Sequence, residues 1–165
     1  MTAGDWMRAN LATQGYCLSD PESRAQWLGL RFAGLGCMTL VTVGLVLESP
    51  AMVFALSGLG LVASLGPRHP FDYVWNHGVR RLTGGPPVPP TARGRRFGFR
   101  VATVWLLAVG ALLAAGATTA GLAAGALLLA ACAPFTLLNL CIPSVALTRW
   151  DRRTNRAIRQ GGSYA

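Results

Sequence analysis

Residues 101–140 read VATVWLLAVGALLAAGATTAGLAAGALLLAACAPFTLLNL, without one Asp, Glu, His, Lys or Arg. One helical crossing of a bilayer needs about 20 predominantly apolar residues, so this stretch is long enough for two crossings. Its only mildly polar point is GATTAG at 116–121, which is bounded by glycines and suits a turn. The sequence therefore predicts a helical hairpin with spans near 97–116 and 121–140.

A second apolar block precedes this one, because Glu48 is the only acidic or basic residue between Arg31 and Arg68. Ser49 suits a helix N-cap and Pro50 the first helical position, so the block is interrupted near its middle. It predicts a first hairpin with spans near 28–47 and 50–65, the second of which is short. The predicted fold is an all-α integral membrane protein with four transmembrane helices in two hairpins.

The composition excludes several other classes of protein. Hydrophobic residues make up 52% of the 165 residues and charged residues 13%, against roughly 25% charged in soluble domains. Disorder requires low hydrophobicity, and four cysteines are too sparse for a disulfide-rich secreted domain. A soluble helical bundle would keep a polar face, which 101–116 and 121–133 lack. The first 30 residues hold acidic residues and no continuous apolar core, so no signal peptide is expected there.

The basic residues predict the orientation in the membrane. All 15 are arginines, and they lie before the first span, between the hairpins or after the last span. The positive-inside rule then places both termini and the central loop in the cytoplasm, with the protein in the inner membrane. The predicted regions are a cytoplasmic N-terminal arm at 1–27, a hairpin at 28–66, an interfacial helix with a Pro-rich loop at 67–96, a hairpin at 97–148 and a basic tail at 149–165.

The net charge of +9 indicates contact with anionic lipid headgroups rather than with nucleic acid, because the arginines flank the spans and no nucleic-acid-binding motif is present. We expect basic and aromatic residues near the spans to form a surface that docks lipid or partner subunits. These residues are Trp75, Arg80, Arg81, Arg95, Arg96, Arg149, Trp150, Arg152 and Arg153.

The segment between the hairpins predicts an amphipathic helix that lies in the membrane interface. Its expected apolar face consists of Phe71, Val74, Trp75, Val79 and Leu82. Its expected polar face consists of Asp72, Asn76 and Arg80. The following stretch GGPPVPP, residues 84–90, can be neither helix nor central strand and should form an extended, semi-rigid spacer.

His69, Asp72 and His77 raise the alternative of a metal or proton site, because imidazole and carboxylate groups are ordinary metal ligands. The two histidines are eight residues apart with a proline between them, and a fourth ligand is missing. Surface histidines are therefore the favoured interpretation, and no cofactor is predicted.

The four cysteines are Cys17, Cys37, Cys132 and Cys141, and no pair of them forms a Cys-x-x-Cys motif. Their predicted cytoplasmic or intramembrane positions argue against structural disulfides. Cys37 and Cys132 suit small apolar packing positions. Cys141 differs, because Asn139, Pro143 and Ser144 surround it near the end of the fourth span, and it is a candidate reactive thiol.

The order of these features resembles a family of small bacterial membrane proteins, domain of unknown function 4395, over about residues 28–148. The features are Arg31-Phe32 before the first hairpin, Gly66-Pro67-Arg68, the aromatic-rich helix ending in Arg80-Arg81-Leu82, the Pro-rich spacer, Arg96-Phe97 before the second hairpin, and Cys141. The resemblance implies thiol or sulfur handling, since members often end in Cys-x-x-Cys. Here Ser144 occupies the second cysteine position, so the dithiol is absent.

Three classes of function remain. The leading prediction is a non-catalytic accessory or structural subunit of a larger membrane assembly, with Gly58, Gly121 and Gly125 allowing close helix packing. The alternative for these glycines is contact within the chain itself. The other classes are a small-solute transporter or channel component and a thiol protein that uses Cys141. No enzyme motif is visible, and ionisable residues expected in coupled transporters are missing from the spans.

Overall fold

The structure, a computed structural model, describes residues 3–161, which are helical apart from turns and short connections. The helices are α1 (Ala3–Gln14), α2 (Asp20–Ala25), α3 (Trp27–Val46), α4 (Pro50–Leu65), α5 (Pro70–Val74), α6 (Arg80–Thr83), α7 (Arg93–Ala114), α8 (Thr118–Leu138) and α9 (Ile142–Gly161). A π-helical turn, Trp75–Val79, connects α5 to α6. The prediction of an all-helical protein is confirmed for this part of the chain.

The predicted spans 28–47, 50–65, 97–116 and 121–140 correspond to α3, α4, α7 and α8. Three helical stretches, Pro21–Val46, Arg93–Ala114 and Thr118–Leu138, are long and apolar enough to cross a membrane. Helix α4 has only 16 residues. It passes the same test when joined to Pro70–Thr83, from which it is bent by 77°. The described residues thus contain three candidate spans, or four if this bent pair counts as one.

The most extensive helix contact joins the two predicted hairpins, because α4 packs along α7. Small residues permit the close approach. A Cβ atom added to Gly60 would lie 2.6 Å from Thr103 Oγ1, and one added to Gly110 would lie 2.8 Å from Phe54 Cε1. Helix α3 packs against α8, and all four helices contribute to one apolar core that includes Val53 and Leu128. This arrangement makes the four long helices one packed body.

The N-terminal residues form part of the folded body. Helix α1 contacts α7 and α9, and Leu11 and Tyr16 are buried. These two side chains join Leu30, Trp75 and Val88 in a second apolar cluster. That cluster closes the end of the bundle at which α7 begins.

The predicted polar face of the helix at 70–83 is wrong, because Asp72 and Asn76 are buried. Val74 and Leu82 of the expected apolar face are exposed, whereas Trp75 of the same face is buried. The physical reason lies in the spacer, which packs across this helix: Val88 N donates to Asn76 Oδ1 at 2.7 Å and Trp75 Nε1 donates to Pro86 O at 3.1 Å. The π-helical turn also changes the angular position of every later side chain.

The three glycines predicted to pack helices have different surroundings. A Cβ atom on Gly121 would lie 2.8 Å from Leu113 Cδ2, and one on Gly125 would lie 2.5 Å from Leu45 Cδ2. Gly58 would have no neighbour within 4 Å among the described atoms. Gly121 and Gly125 therefore pack within the chain, whereas Gly58 has no close contact among the described residues.

Candidate functional site

Arg95 lies in the first turn of α7 and is only 3% exposed. Its Nη2 donates to the carbonyl oxygen of Leu30, and its Nη1 donates to the Tyr16 hydroxyl at 3.4 Å. Its guanidinium carbon lies 4.5 Å from the centroid of the Phe135 ring. Among the side chains that the structure describes, none forms a hydrogen bond with Nε and no carboxylate forms an ion pair with Arg95. Burial raises the pKa of Asp72 and the charge of Arg95 opposes that rise, so the two groups interact at a distance without forming an ion pair.

A cavity of about 240 Å³ lies beside Arg95, between α7, α8 and the segment that leads into α9. Phe99 and Trp105 of α7 face Leu128 and Phe135 of α8 across it. Trp105 is held by a hydrogen bond from its Nε1 to Ala124 O at 3.1 Å. Arg95 is the one charged residue in the described wall, so the cavity combines a cation with an apolar lining.

Two cysteines, Cys132 and Cys141, also line this cavity. Gly98 lies opposite Cys141, because a Cβ atom added to Gly98 would be 2.9 Å from Cys141 Sγ. A neighbouring cavity of about 90 Å³ is lined by Cys37 and His69 and shares Cys132 with the first. Three of the four cysteines therefore surround two adjoining cavities, with Cys132 in the wall between them.

The break between α8 and α9 positions Cys141. Helix α8 continues through Pro134, and Asn139 then adopts a left-handed conformation with φ of 52°. Gln14 of α1 donates from Nε2 to the carbonyl oxygen of Asn139. Cys141 immediately precedes α9, and its carbonyl oxygen accepts from Val145 N at 3.1 Å. The thiol thus lies at the N-terminus of a long helix.

His69 is a neutral hydrogen-bond donor in the smaller cavity. Phe71 N donates to His69 Nδ1 at 3.1 Å, so the ring hydrogen is on Nε2. Nε2 lies 3.5 Å from Cys37 Sγ and donates to it. Burial and, to a lesser extent, the charge of Arg95 lower the pKa of His69 to about 4. The ring is therefore uncharged at neutral pH.

The structure brings together two of the three residues of the metal hypothesis. His69 N donates to Asp72 Oδ2 at 3.0 Å, and both residues cap the start of α5. His77 is exposed, and its Nδ1 lies 2.9 Å from Tyr73 O. Over the described residues, no group of three His, Cys, Asp or Glu is arranged to hold a metal ion. The expectation of surface histidines is wrong for His69, which is 1% exposed because the cap lies inside the bundle.

The expected docking surface also needs correction. Trp75 and Arg95 are buried by contacts with the Pro-rich segment and with Tyr16 and Leu30. Arg80 and Arg96 are half-buried and donate from Nε to Asn76 O and Thr91 O. The exposed members of the predicted set are Arg81, Arg149, Trp150 and Arg153. For Arg152 the structure describes only the backbone.

Sequence reasoning placed Arg95 on an exposed docking surface and missed its burial beside the cavity, because it is one of three arginines in the run Arg93-Gly94-Arg95-Arg96. A usable signal lies beside it. Gly94 and Gly98 are four residues apart, and Cβ atoms on them would approach Gln14 O to 3.0 Å and Cys141 Sγ to 2.9 Å. Glycines at this spacing indicate a helix side that packs closely against other parts of the chain. An arginine next to such a side is a candidate for burial.

The fold and the apolar helices define an all-helical protein with three or four candidate membrane spans. Residues 28–152 match the sequence profile of a family described as Domain of unknown function (DUF4395). The chain belongs to this family, as the order of its motifs predicted. Comparison with curated proteins and with solved structures gave no match.

Proposed function

We propose that this protein binds a small amphipathic anion in the cavity beside Arg95, as a binding or transport component within the membrane. One observation carries the proposal: a buried guanidinium that forms no direct ion pair with a described carboxylate lies in an otherwise apolar cavity wall. A buried charge is costly unless it is paired. A carboxylate or phosphate group would supply the missing charge, and the aromatic walls would hold a short hydrocarbon portion.

The size of the cavity limits the ligand. Its volume of about 240 Å³ is below the roughly 300–1,000 Å³ of sites for drug-sized molecules. A short-chain carboxylate or a single lipid headgroup with part of its chain fits this range better than a whole lipid. The proposed ligand is therefore a small molecule.

The surroundings of the cavity support entry from the bilayer. A shallow groove on the outer side of α7 shares Val101 and Trp105 with the cavity wall. Val101 and Val104 are exposed along this groove. If α7 spans the membrane, these side chains face lipid, and an amphipathic anion would reach Arg95 from the side.

Equilibrium binding of octanoate and octanol to the purified chain in a neutral detergent tests the proposal. Since a charged hydrogen bond contributes about 1.5–3 kcal/mol, we expect the wild-type chain to prefer octanoate by about tenfold or more. Arg95→Gln should abolish the preference, Arg95→Lys should retain part of it, and Arg81→Gln at an exposed position should leave it unchanged. Equal binding of the two ligands by the wild-type chain would overturn the proposal.

A role as an accessory subunit remains a second proposal. It is favoured by the basic and aromatic surface of α9, where Arg149 and Arg153 are exposed and Trp150 is 71% exposed. Gly121 and Gly125 no longer support it, because their close contacts lie within the chain. The partner surface would then be α9, and the lipid partners would be anionic headgroups.

We further propose that α3, α4, α7 and α8 cross the inner membrane as four spans, with both termini in the cytoplasm. The support is the placement of every arginine outside the apolar segments 32–67 and 101–148. Glu48 at the α3–α4 turn and the uncharged α7–α8 turn then face the opposite side. The short α4 would cross by packing along α7 rather than against lipid alone.

A further inference from the structure

We propose that Cys141 is the nucleophile of the Arg95 cavity and exchanges its thiol with small anionic disulfides. This inference rests on the proposed anion site and names the class of molecule that the site would take. It uses three observations: the cavity, the Arg95 guanidinium in its wall, and the position of Cys141 before α9.

The sulfur of Cys141 is reached through the cavity. Cys141 is 7% exposed and lines the cavity wall together with Arg95. Any larger residue at position 98 would crowd the sulfur, since a Cβ atom added to Gly98 would lie 2.9 Å from Cys141 Sγ. Glycine at this position therefore keeps the sulfur open to the cavity.

Two sources of positive potential act at this thiol. Helix α9 begins at Ile142 and is 20 residues long, so its N-terminus carries a partial positive charge beside Cys141. The guanidinium of Arg95 lies in the same cavity wall. Cations and helix N-termini attract an anionic reaction partner.

The exchange reaction is balanced as written. The Cys141 thiol loses its proton to water, and the thiolate attacks one sulfur of a disulfide R–S–S–R. A new Cys141–S–S–R bond forms, the R–S–S–R bond breaks, and the second half leaves as R–S⁻. No external oxidant is needed, because the incoming disulfide is reduced as the thiol is oxidised. Arg95 would hold the anionic group on R.

The test compares an anionic and a neutral disulfide, dithiobis(nitrobenzoate) and dithiodipyridine, each of which releases a coloured thiol. One chain retains only Cys141 (C17S/C37S/C132S), and a matched chain retains only the exposed Cys17 (C37S/C132S/C141S). A charged contact to Arg95 should make the anionic-to-neutral rate ratio about tenfold higher for Cys141 than for Cys17. The same ratio for both thiols, or no reaction at Cys141, would overturn the inference.

Variants in the Cys141-only chain locate the effect. Arg95→Gln should lower the rate ratio to that of Cys17, whereas Arg81→Gln should not change it. Gly98→Ala should slow both reagents, because its added methyl group meets the sulfur. Saturating octanoate should slow the anionic reagent at Cys141 and leave Cys17 unaffected, which tests the site even if Arg95→Gln does not fold. The inference is contradicted if Arg95→Gln leaves the rate ratio unchanged and octanoate does not slow the anionic reagent at Cys141.

Failure of this inference differs from failure of the proposed function. A Cys141→Ser chain should still bind octanoate in preference to octanol, because Arg95 is intact. If it does so while Cys141 shows no charge preference, only the exchange chemistry is wrong. If neither the wild-type chain nor Cys141→Ser prefers octanoate, the anion site itself is wrong.

Discussion

Arg95 and Arg96 are neighbours in the sequence and differ in their surroundings. Arg95 is buried against Tyr16, Leu30 and Phe135, whereas Arg96 is half-buried and donates to Thr91 O at the start of α7. Counting arginines predicted the ends of the spans and treated the two residues alike. Only the contacts of Arg95 with Tyr16, Leu30 and Phe135 distinguish them, and these three residues are distant from it in sequence.

The lowered pKa of His69 predicts a loss of stability in acid. An unfolded chain holds histidine with a pKa near 6.5, and burial with the nearby Arg95 charge lowers the folded value to about 4. Between these values the unfolded chain binds more protons, so stability falls as the pH drops from 6.5 towards 4. Thermal unfolding in detergent at pH 7 and pH 5 measures this loss. His69→Gln should lose less stability between pH 7 and pH 5 than the wild-type chain. His77→Gln, at an exposed position, should lose as much as the wild type. Equal pH dependence in the wild type and His69→Gln would show that His69 does not cause the loss.

Gly125 and Gly58 allow a comparison of how an added methyl group changes stability at a packed and at an open position. Gly125→Ala places a Cβ atom 2.5 Å from Leu45, whereas Gly58→Ala enters open space. Overpacking should destabilise the first variant by about 1–3 kcal/mol. The second should be stabilised by up to about 1 kcal/mol, since alanine favours helix over glycine. Denaturant unfolding in mixed micelles measures both, and equal stabilities would show that α3 and α8 do not pack as described.

At the scale of elements, the helix ends were more predictable than the helix faces. Ser49 accepts a hydrogen bond from Met52 N and Pro50 begins α4, as the sequence predicted from local chemistry. The predicted polar face of the 70–83 helix was wrong, because Asn76 bonds Val88 of the Pro-rich segment and Asp72 caps the helix at His69 N instead of facing solvent. Asn76 and Val88 are 12 residues apart, and a helical pattern contains no information about that pairing.

The Asn76 side chain should therefore hold the Pro-rich segment in place. It accepts from Val88 N at 2.7 Å and donates to Val88 O at 3.3 Å, and it is buried. Asn76→Ala should destabilise the fold by about 1–3 kcal/mol, since it leaves buried backbone groups unpaired. Limited proteolysis within 84–92 should also become faster. The exposed His77→Ala is the control, and unchanged cleavage in Asn76→Ala would contradict the anchoring role.

At the scale of the whole molecule, the apolar blocks predicted the long helices and the contacts of α3 with α4 and of α7 with α8. They did not predict that the most extensive packing joins α4 to α7. Gly60 of α4 and Gly110 of α7 permit that contact, because Gly60 meets Thr103 of α7 and Gly110 meets Phe54 of α4. The sequence of one helix does not show which residues of the other helix it meets. The cavity beside Arg95 was unpredictable for the same reason. Its walls come from residues 95–105 and residues 128–143, which are distant in sequence.

The proposed orientation predicts which turns face away from the cytoplasm. In a chain with its native cysteines replaced, new cysteines at Ser49 and Thr119 should react with a membrane-impermeant maleimide added to the periplasmic side. New cysteines at Arg81 and Arg149 should react only after the membrane is opened, because arginine-rich segments stay on the cytoplasmic side. Labelling of Ser49→Cys or Thr119→Cys only after opening would refute four spans with both termini inside.

The anion site itself is tested most directly by quenching of Trp105, which lines the cavity. Octanoate that carries bromine on its chain should quench tryptophan fluorescence in the wild-type chain, and brominated octanol should do so far more weakly. Replacing Trp105 with phenylalanine or Arg95 with glutamine should remove this difference. Equal quenching by the acid and the alcohol, or unchanged quenching in Trp105→Phe, would show that the cavity beside Arg95 is not an anion site.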